Sequence, residues 1–390
     1  MRTPGVALLL FALACAPPHQ DAASPGAPVR AEFVDGIVLL EVILDGKPGW
    51  WILDSGYEYS LLDSAAAQAA GIAVSTPATV GQPGGSVTQG WARGVSLDIS
   101  GTRFLPDSLA AFALSSLAPV VGKPVAGLLG DDFFQHHVIT IDYARREVFL
   151  ASPDGWSPPD NGGLRTFVPL WLEAGEPFTL ATLWVAGRSV PAKLKIDTGS
   201  LSGLGLNGSF VAQNRLFPDG WPRRPMEGIA VGGATRNYVG RLDSMMLGGF
   251  VIPQPVAGWS EDLSRIGDAG TLGAANLARF RVTFDYTRHR MMLEPTPAVA
   301  AREGWQAAGM LLVQVPGGDI MVGLVLPASP ADSAGLQPGD VVRSVGAADA
   351  GKAGLDSMRR HFRAPGTLDT IAIERGGVAR TMTLRQRDLP

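Results

Sequence analysis

Residues 37–44 are apolar at nearly every position (Ile37-Val38-Leu39-Leu40-Glu41-Val42-Ile43-Leu44), which predicts a strand covered on both faces. The Asp45-Gly46 turn and a second apolar run ending at Leu53 extend it into a β-hairpin. Beyond it, Ser60 or Asp63 can cap a short alanine-rich helix that Gly71 ends. Strand patterning returns within 101–113 and at 127–130, and 138–150 reads as a hairpin turned at Ala144-Arg145-Arg146. The polar, Pro- and Gly-rich stretch 152–164 is a linker. After it the order begins again, with strands at 178–185 and 190–196 around Ala186-Gly187-Arg188 and a short helix at 209–216.

The repetition is carried by residues as well as by pattern. Trp50-Trp51-Ile52-Leu53 runs into Asp54-Ser55-Gly56, and 143 residues later Ala192-Lys193-Leu194-Lys195-Ile196 runs into Asp197-Thr198-Gly199-Ser200. At the same offset Gly127-Leu128-Leu129-Gly130 becomes Gly270-Thr271-Leu272-Gly273, and Ile141-Asp142-Tyr143 becomes Phe284-Asp285-Tyr286. Three matches at one spacing predict a duplicated unit of small-domain size. Alone, Asp-Thr-Gly is an ordinary turn, in which Asp bonds the backbone two residues on and Gly supplies a positive φ. In duplicate it sets one carboxylate per unit on a strand end beside a glycine, held still and open to close approach. Two carboxylates a few ångströms apart cannot both ionise cheaply, so such a pair holds one proton. The ionised member can then draw a proton from water while the protonated member polarises a carbonyl oxygen. That chemistry calls for no metal, no cofactor and no side-chain nucleophile, and no Gly-x-Ser-x-Gly elbow occurs in the chain.

The paired turns, with the apolar-apolar-Gly segments that answer them, resemble the pepsin-like and retropepsin-like aspartic proteases over roughly residues 31–296. The resemblance implies a mostly β fold of two lobes, each a closed β-barrel, over 31–151 and 165–296. It implies Asp54 and Asp197 as the catalytic pair, supported by Ser55, Gly56, Thr198, Gly199 and Ser200. In that family a hydroxyl residue after each turn orients the carboxylate; Ser200 stands there in the second lobe and Tyr57 in the first. Ser55 and Thr198 are left to bond across the lobe interface. Gly84 and Gly85, and at an offset of 148 Gly232 and Gly233, occupy the place of flaps that fold over the cleft. The implied activity is that of an endopeptidase; a degenerate, non-catalytic peptide-binding scaffold is the alternative, which Tyr57 favours. His136-His137 is not a metal site on this reading, because neighbours on a strand face opposite ways and no third ligand is near.

From residue 303 the character changes. The run Val322-Gly323-Leu324-Val325-Leu326-Pro327-Ala328-Ser329-Pro330, followed by Ala334-Gly335-Leu336-Gln337-Pro338-Gly339-Asp340, resembles the core of a bacterial PDZ domain, an α+β module expected over 303–390. PDZ domains add a peptide as an extra strand and hold its carboxylate on backbone amides. The resemblance places that peptide site at Ala308, Gly309, Met310 and Leu311, with 311–315 as the receiving strand, 355–363 as the groove helix, and 370–374 and 380–384 as closing strands. The family usually has a larger apolar residue than Ala308, which leaves docking within the chain as the alternative.

Length and composition fit this plan. A chain of 390 residues exceeds one ordinary core, and 46% apolar with 17% charged residues marks it as globular. The net charge of −4 and the scattered basic residues give no electrostatic footprint for nucleic acid. At the N-terminus Arg2, the apolar run from Val6 to Ala14 and small residues form an export signal too short to span a bilayer. Ala12-Leu13-Ala14-Cys15 resembles a bacterial lipobox, with Leu13 one position later than usual, so 1–15 is read as a signal and Cys15 as the lipidated residue. A tether over 16–30 would hold a periplasm-facing lipoprotein, its lipid the sole membrane contact; plain signal cleavage, giving a soluble periplasmic or secreted protein, is the alternative. Cys15 is the only cysteine, so the mature domains form no internal disulfide. The expected partners are a peptide or protein substrate and a peptide ligand at the PDZ groove.

Overall fold

The computed structural model describes residues 28–82, 85–160, 162–230, 233–260 and 267–389. Residues 1–27, read from sequence as an export signal with Cys15 and a tether, and Gly84 and Gly232, read as flap tips, lie outside the described residues. The chain is mostly β: the longest described helix is the seven-residue Leu355–His361. Among the described residues no helix is long and apolar enough to cross a membrane.

Ile37–Leu44 is buried along both faces. Val38, Leu40 and Val42 enter one apolar cluster, and Ile37 and Leu39 enter another on the opposite face, as the two-residue period of a strand requires. It pairs with Lys47–Leu53 in a larger sheet. That sheet runs Ala78–Gln82, Gly85–Ala92, Leu109–Phe112, Leu61–Asp63, Gly127–Leu129, Lys47–Leu53, Ile37–Leu44, Leu97–Ile99, Thr102–Phe104, with Ala31–Val34 also on Ile37–Leu44. The second half repeats it strand for strand: Arg223–Ala230, Gly233–Arg241, Val256–Ser260, Leu204–Asn207, Gly270–Gly273, Arg188–Asp197, Glu176–Val185, Ser244–Leu247, Phe250–Pro253, with Trp171–Glu173 on Glu176–Val185. The closed barrels expected from the sequence are not formed. Each path ends on a strand paired along one side only, Thr102–Phe104 on Leu97–Ile99 and Phe250–Pro253 on Ser244–Leu247, so both sheets stay open.

A third sheet is shared between the halves, in the order Pro28–Val29, Glu147–Ala151, Val138–Asp142, Phe280–Asp285, Arg290–Pro295, Thr166–Pro169. At its centre Val138–Asp142 pairs with Phe280–Asp285, and the Thr140 and Thr283 hydroxyls, 143 residues apart, meet at 2.8 Å. Pro28 and Val29, read from sequence as tether, pair here with Phe149 and Val148. One apolar cluster runs from Leu40, Leu53 and Phe134 into Leu183, Ile196 and Phe284, so the two halves share a core.

The C-terminal module is a sheet in the order Met310–Gln314, Ile320–Val325, Val341–Val345, Leu368–Arg375, Val378–Arg385, with Ala348–Asp349 on Val341–Val345 and short helices at Pro330–Ser333, Ala350–Ala353 and Leu355–His361. Its core continues into the first half: Leu312, Val322 and Leu355 share a cluster with Ile37, Leu39, Ile52 and Val121. Buried charge fastens the same joint. Asp35 lies 2.5 Å from Arg363 and 3.8 Å from Arg359, and its amide donates to Asp356. Arg146 bonds Asp356 at 2.9 Å.

Candidate active site

Lys47–Leu53 and Arg188–Asp197 each carry an aspartate to the inner edge of one half. Each is flanked in parallel by the apolar-Gly segment of its own half, Gly127–Leu129 and Gly270–Gly273, and the Asp54 amide donates to Leu129. The turns interlock across the two halves. The Ser55 amide donates to Thr198 Oγ1 (3.0 Å) and the Thr198 amide to Ser55 Oγ (3.1 Å). Each hydroxyl then donates to the opposite strand, Thr198 to the Leu53 carbonyl at 2.7 Å and Ser55 to the Ile196 carbonyl at 3.2 Å. Four hydrogen bonds in a fully buried position fix the two turns against each other.

This lock brings the carboxyls together. A Cβ on Gly56 would fall 2.4 Å from the Asp197 carboxyl carbon, and one on Gly199 would fall 2.4 Å from that of Asp54. Each turn therefore needs glycine because the opposite carboxyl occupies the space of a side chain. Asp54 and Asp197 hydrogen-bond to each other, and burial raises both above the ordinary carboxylate range. Asp54 is pushed up to about 7, first by burial and then by the charge of Asp197. Lys195 and the amides of Gly199 and Ser200 work against the rise at Asp197, and Lys195 and the Gly56 amide, at 2.9 Å, work against it at Asp54. Two buried carboxyls so placed favour holding one proton between them.

Ser200 supports its aspartate through its amide; its hydroxyl pairs with Ser202 at 2.8 Å rather than reaching the carboxyl. The Tyr57 ring packs edge-on against Tyr59, which leans on Trp91 of the Gly85–Ala92 strand, so an aromatic row links the first turn to the first hairpin. Gly85 and Gly233 begin the return strands of the two hairpins, where flaps were expected. His136 and His137 do not lie on a strand as read from sequence: His136 ends the helix Asp131–His136. The Nδ1 of each faces the carbonyl four residues back. No group of three potential metal ligands occurs among the described residues.

No family model matches the chain, and no curated protein matches it.

Two residues that sequence reasoning passed over stand beside the pair. Lys195, two positions before Asp197, donates to the Gly56 carbonyl (3.3 Å) and to Glu176 (3.4 Å), and its charge lowers the pKa of both aspartates. Its counterpart at the 143 offset is the buried Ile52, so an apolar position turned cationic was the available signal. Asp131, directly after Gly130, is wholly buried; Tyr286 donates to its Oδ1 at 2.9 Å, and among the described residues Oδ2 has no hydrogen-bond partner. Burial pushes it up to about 9, with the nearby Asp54 charge adding to the rise. The folded state thus keeps a proton that the unfolded chain releases above about pH 4, and stability falls as pH rises from there to about 9. Asp131→Asn should remove that slope, raising Tm at pH 8 more than at pH 4. Equal shifts at both pH values would show that Asp131 is ionised in the fold.

The peptide site read from sequence in the C-terminal module lies at the start of the Met310–Gln314 strand. The Ala308 amide donates to the Phe362 carbonyl and the Gly309 amide to Gln306, so two of the amides expected to hold a carboxylate are engaged within the chain. Ala308 and Met310 are buried in the module core. Gly309 (φ 74°) packs so closely on Ser329 that a Cβ would lie 2.1 Å from that residue's own. Leu311 alone of the four is half-buried, and it faces a cavity described below.

Proposed function

We propose that the chain is an exported aspartic endopeptidase with two fused lobes and a PDZ-like C-terminal module docked on them. The observation that carries this reading is the pair of buried, mutually hydrogen-bonded carboxyls, one from each half, held by reciprocal Ser55 and Thr198 bonds. In the mechanism this implies, Asp197 takes a proton from a water molecule as the water oxygen bonds the amide carbon. Asp54 gives its proton to the carbonyl oxygen, so the tetrahedral diol forms without a free oxyanion. The diol then collapses: Asp197 passes its proton to the leaving nitrogen, the C–N bond breaks, and Asp54 recovers a proton from the diol. A carboxylic acid, an amine and the starting protonation state result. Export with lipidation at Cys15, facing the periplasm, remains the reading of residues 1–27.

Tyr57, standing where an orienting hydroxyl was expected, favours a second reading in which the same fold binds peptides without cleaving them. The experiment that separates the two is digestion of a mixed peptide library from pH 3 to pH 8 by the wild-type protein and by Asp54→Asn and Asp197→Asn. Cleavage that both variants lose supports the peptidase; a folded wild type that cleaves nothing at any pH leaves the binding scaffold.

The proton-sharing pair also sets a pH profile. Activity should decline as pH rises through about 7, where Asp54 gives up the shared proton. Lys195→Met removes a cation that lowers the pKa of both aspartates, so both limbs of the kcat/KM profile should move to higher pH. A profile unmoved in that variant would place the lysine's charge outside the reaction.

A further inference from the structure

A cavity of about 230 Å³ lies between the second half and the C-terminal module. One wall continues the catalytic turn: Leu201 and Ser202 follow Ser200 directly, and Ser202 is bonded to Ser200, whose amide supports Asp197. Met226, from the Arg223–Ala230 strand of the second hairpin, and Gly258 continue that wall. The facing wall is Leu311, Leu324 and Leu326 of the module, on and beside the strand that was read as receiving a peptide. The Asp35–Arg363 ion pair, which fastens the module, closes one end. The cavity therefore exists only while the module is docked.

We propose that this cavity is a specificity pocket for one large apolar side chain, aromatic or long aliphatic, of a peptide bound at the aspartate pair, and that the module supplies half of it. The proposal rests on the peptidase reading. Size and lining select the occupant: Leu201, Met226, Leu311, Leu324 and Leu326 give it an apolar body, with Glu303 and Gln306 also in the lining, and since an apolar cavity of about 150 Å³ holds a benzene ring, this one takes Phe, Leu or Met. Position selects it as part of a peptide, because Leu201 and Ser202 continue directly from the turn that carries Asp197 and Ser202 is bonded to Ser200. The module then acts in substrate choice without capturing a carboxylate, consistent with the engaged amides of Ala308 and Gly309.

Two substitutions from opposite walls test this. A side chain at Gly258 meets nothing closer than 3.8 Å and sits on a strand that accepts β-branched residues, so Gly258→Val narrows the pocket from the second half. Leu324→Phe narrows it from the module. In library profiling, wild type should prefer a large apolar residue at one position. Both variants should lower the ratio of kcat/KM for Phe against Ala at that position by ~10-fold or more. An unchanged ratio in both variants overturns the pocket. If wild type cleaves no peptide, the peptidase reading fails on its own, and binding decides the pocket. N-acetyl-L-phenylalanine amide should then change the fluorescence of Trp305, which lines the cavity. The change should saturate, vanish in Trp305→Phe and weaken in Gly258→Val; no saturable change overturns the proposal.

Discussion

Asp197→Asn should lower kcat/KM on every cleaved peptide by ~10²–10⁴-fold or more, the scale of a general base, with the fold intact. Asn keeps an oxygen for the Gly199 and Ser200 amides that now support the carboxylate, and it has the same shape, so the Ser55–Thr198 lock is undisturbed. It cannot take a proton from water. Removing one of two buried acids also removes their mutual repulsion, so thermal stability should hold or rise. Asp54→Asn should fail as completely for the complementary reason, since an amide N–H is too weak an acid to pass a proton to the carbonyl oxygen. Peptide hydrolysis followed beside thermal unfolding checks both points. A variant that is folded and as active as wild type would end the two-carboxyl mechanism.

Asp35→Ala should destabilise the protein by about 3–5 kcal/mol, the usual cost of leaving a buried ion-pair partner alone. Asp35 and Arg359 have side chains 2% and 3% exposed, and Arg363 lies 2.5 Å from the same carboxyl. Arg359 keeps its bonds to the Leu312 carbonyl, and Arg363 is exposed enough to reach water, which favours the lower end of the range. Denaturant unfolding measures the loss, and the comparison is Arg30→Ala, whose pairing with Glu41 is surface-exposed and should contribute less than ~1 kcal/mol. Equal small effects in the two variants would show that the module is held by its apolar contacts alone. Because the Asp35–Arg363 pair also closes the cavity, the same variant should broaden the cleavage profile.

Much of this protein is legible in one dimension because its signals are local or periodic. The hairpin at Asp45-Gly46, the helix capped by Asp63, the glycine turns after each aspartate and the 143-residue repeat follow from neighbours in sequence. In the C-terminal module the resemblance, rather than pattern alone, placed strands at 311–315, 370–374 and 380–384, where Met310–Gln314, Leu368–Arg375 and Val378–Arg385 lie. Whether a sheet closes is a different kind of fact, since it depends on whether two distant edge strands meet, and here Thr102–Phe104 and Phe250–Pro253 meet none.

The roles of single residues divide along the same line. That Asp54 and Asp197 form a matched pair could be read from a repeated motif. How far burial raises each, and what works against the rise, could not, because that turns on amides and on a lysine whose charge acts through space. Asp131 looks in sequence like one of two surface acids after a glycine; only burial beneath Tyr286 makes it a neutral acid. The peptide loop at Ala308 and Gly309 matched by position, yet the Gly309 amide is spent on Gln306 three residues back and the Ala308 amide on Phe362, which only folding brings near. Local chemistry and repetition thus set the elements and the two aspartates, while their raised pKa values, the open sheets and a cavity shared with the module arise from contacts between distant parts of the chain.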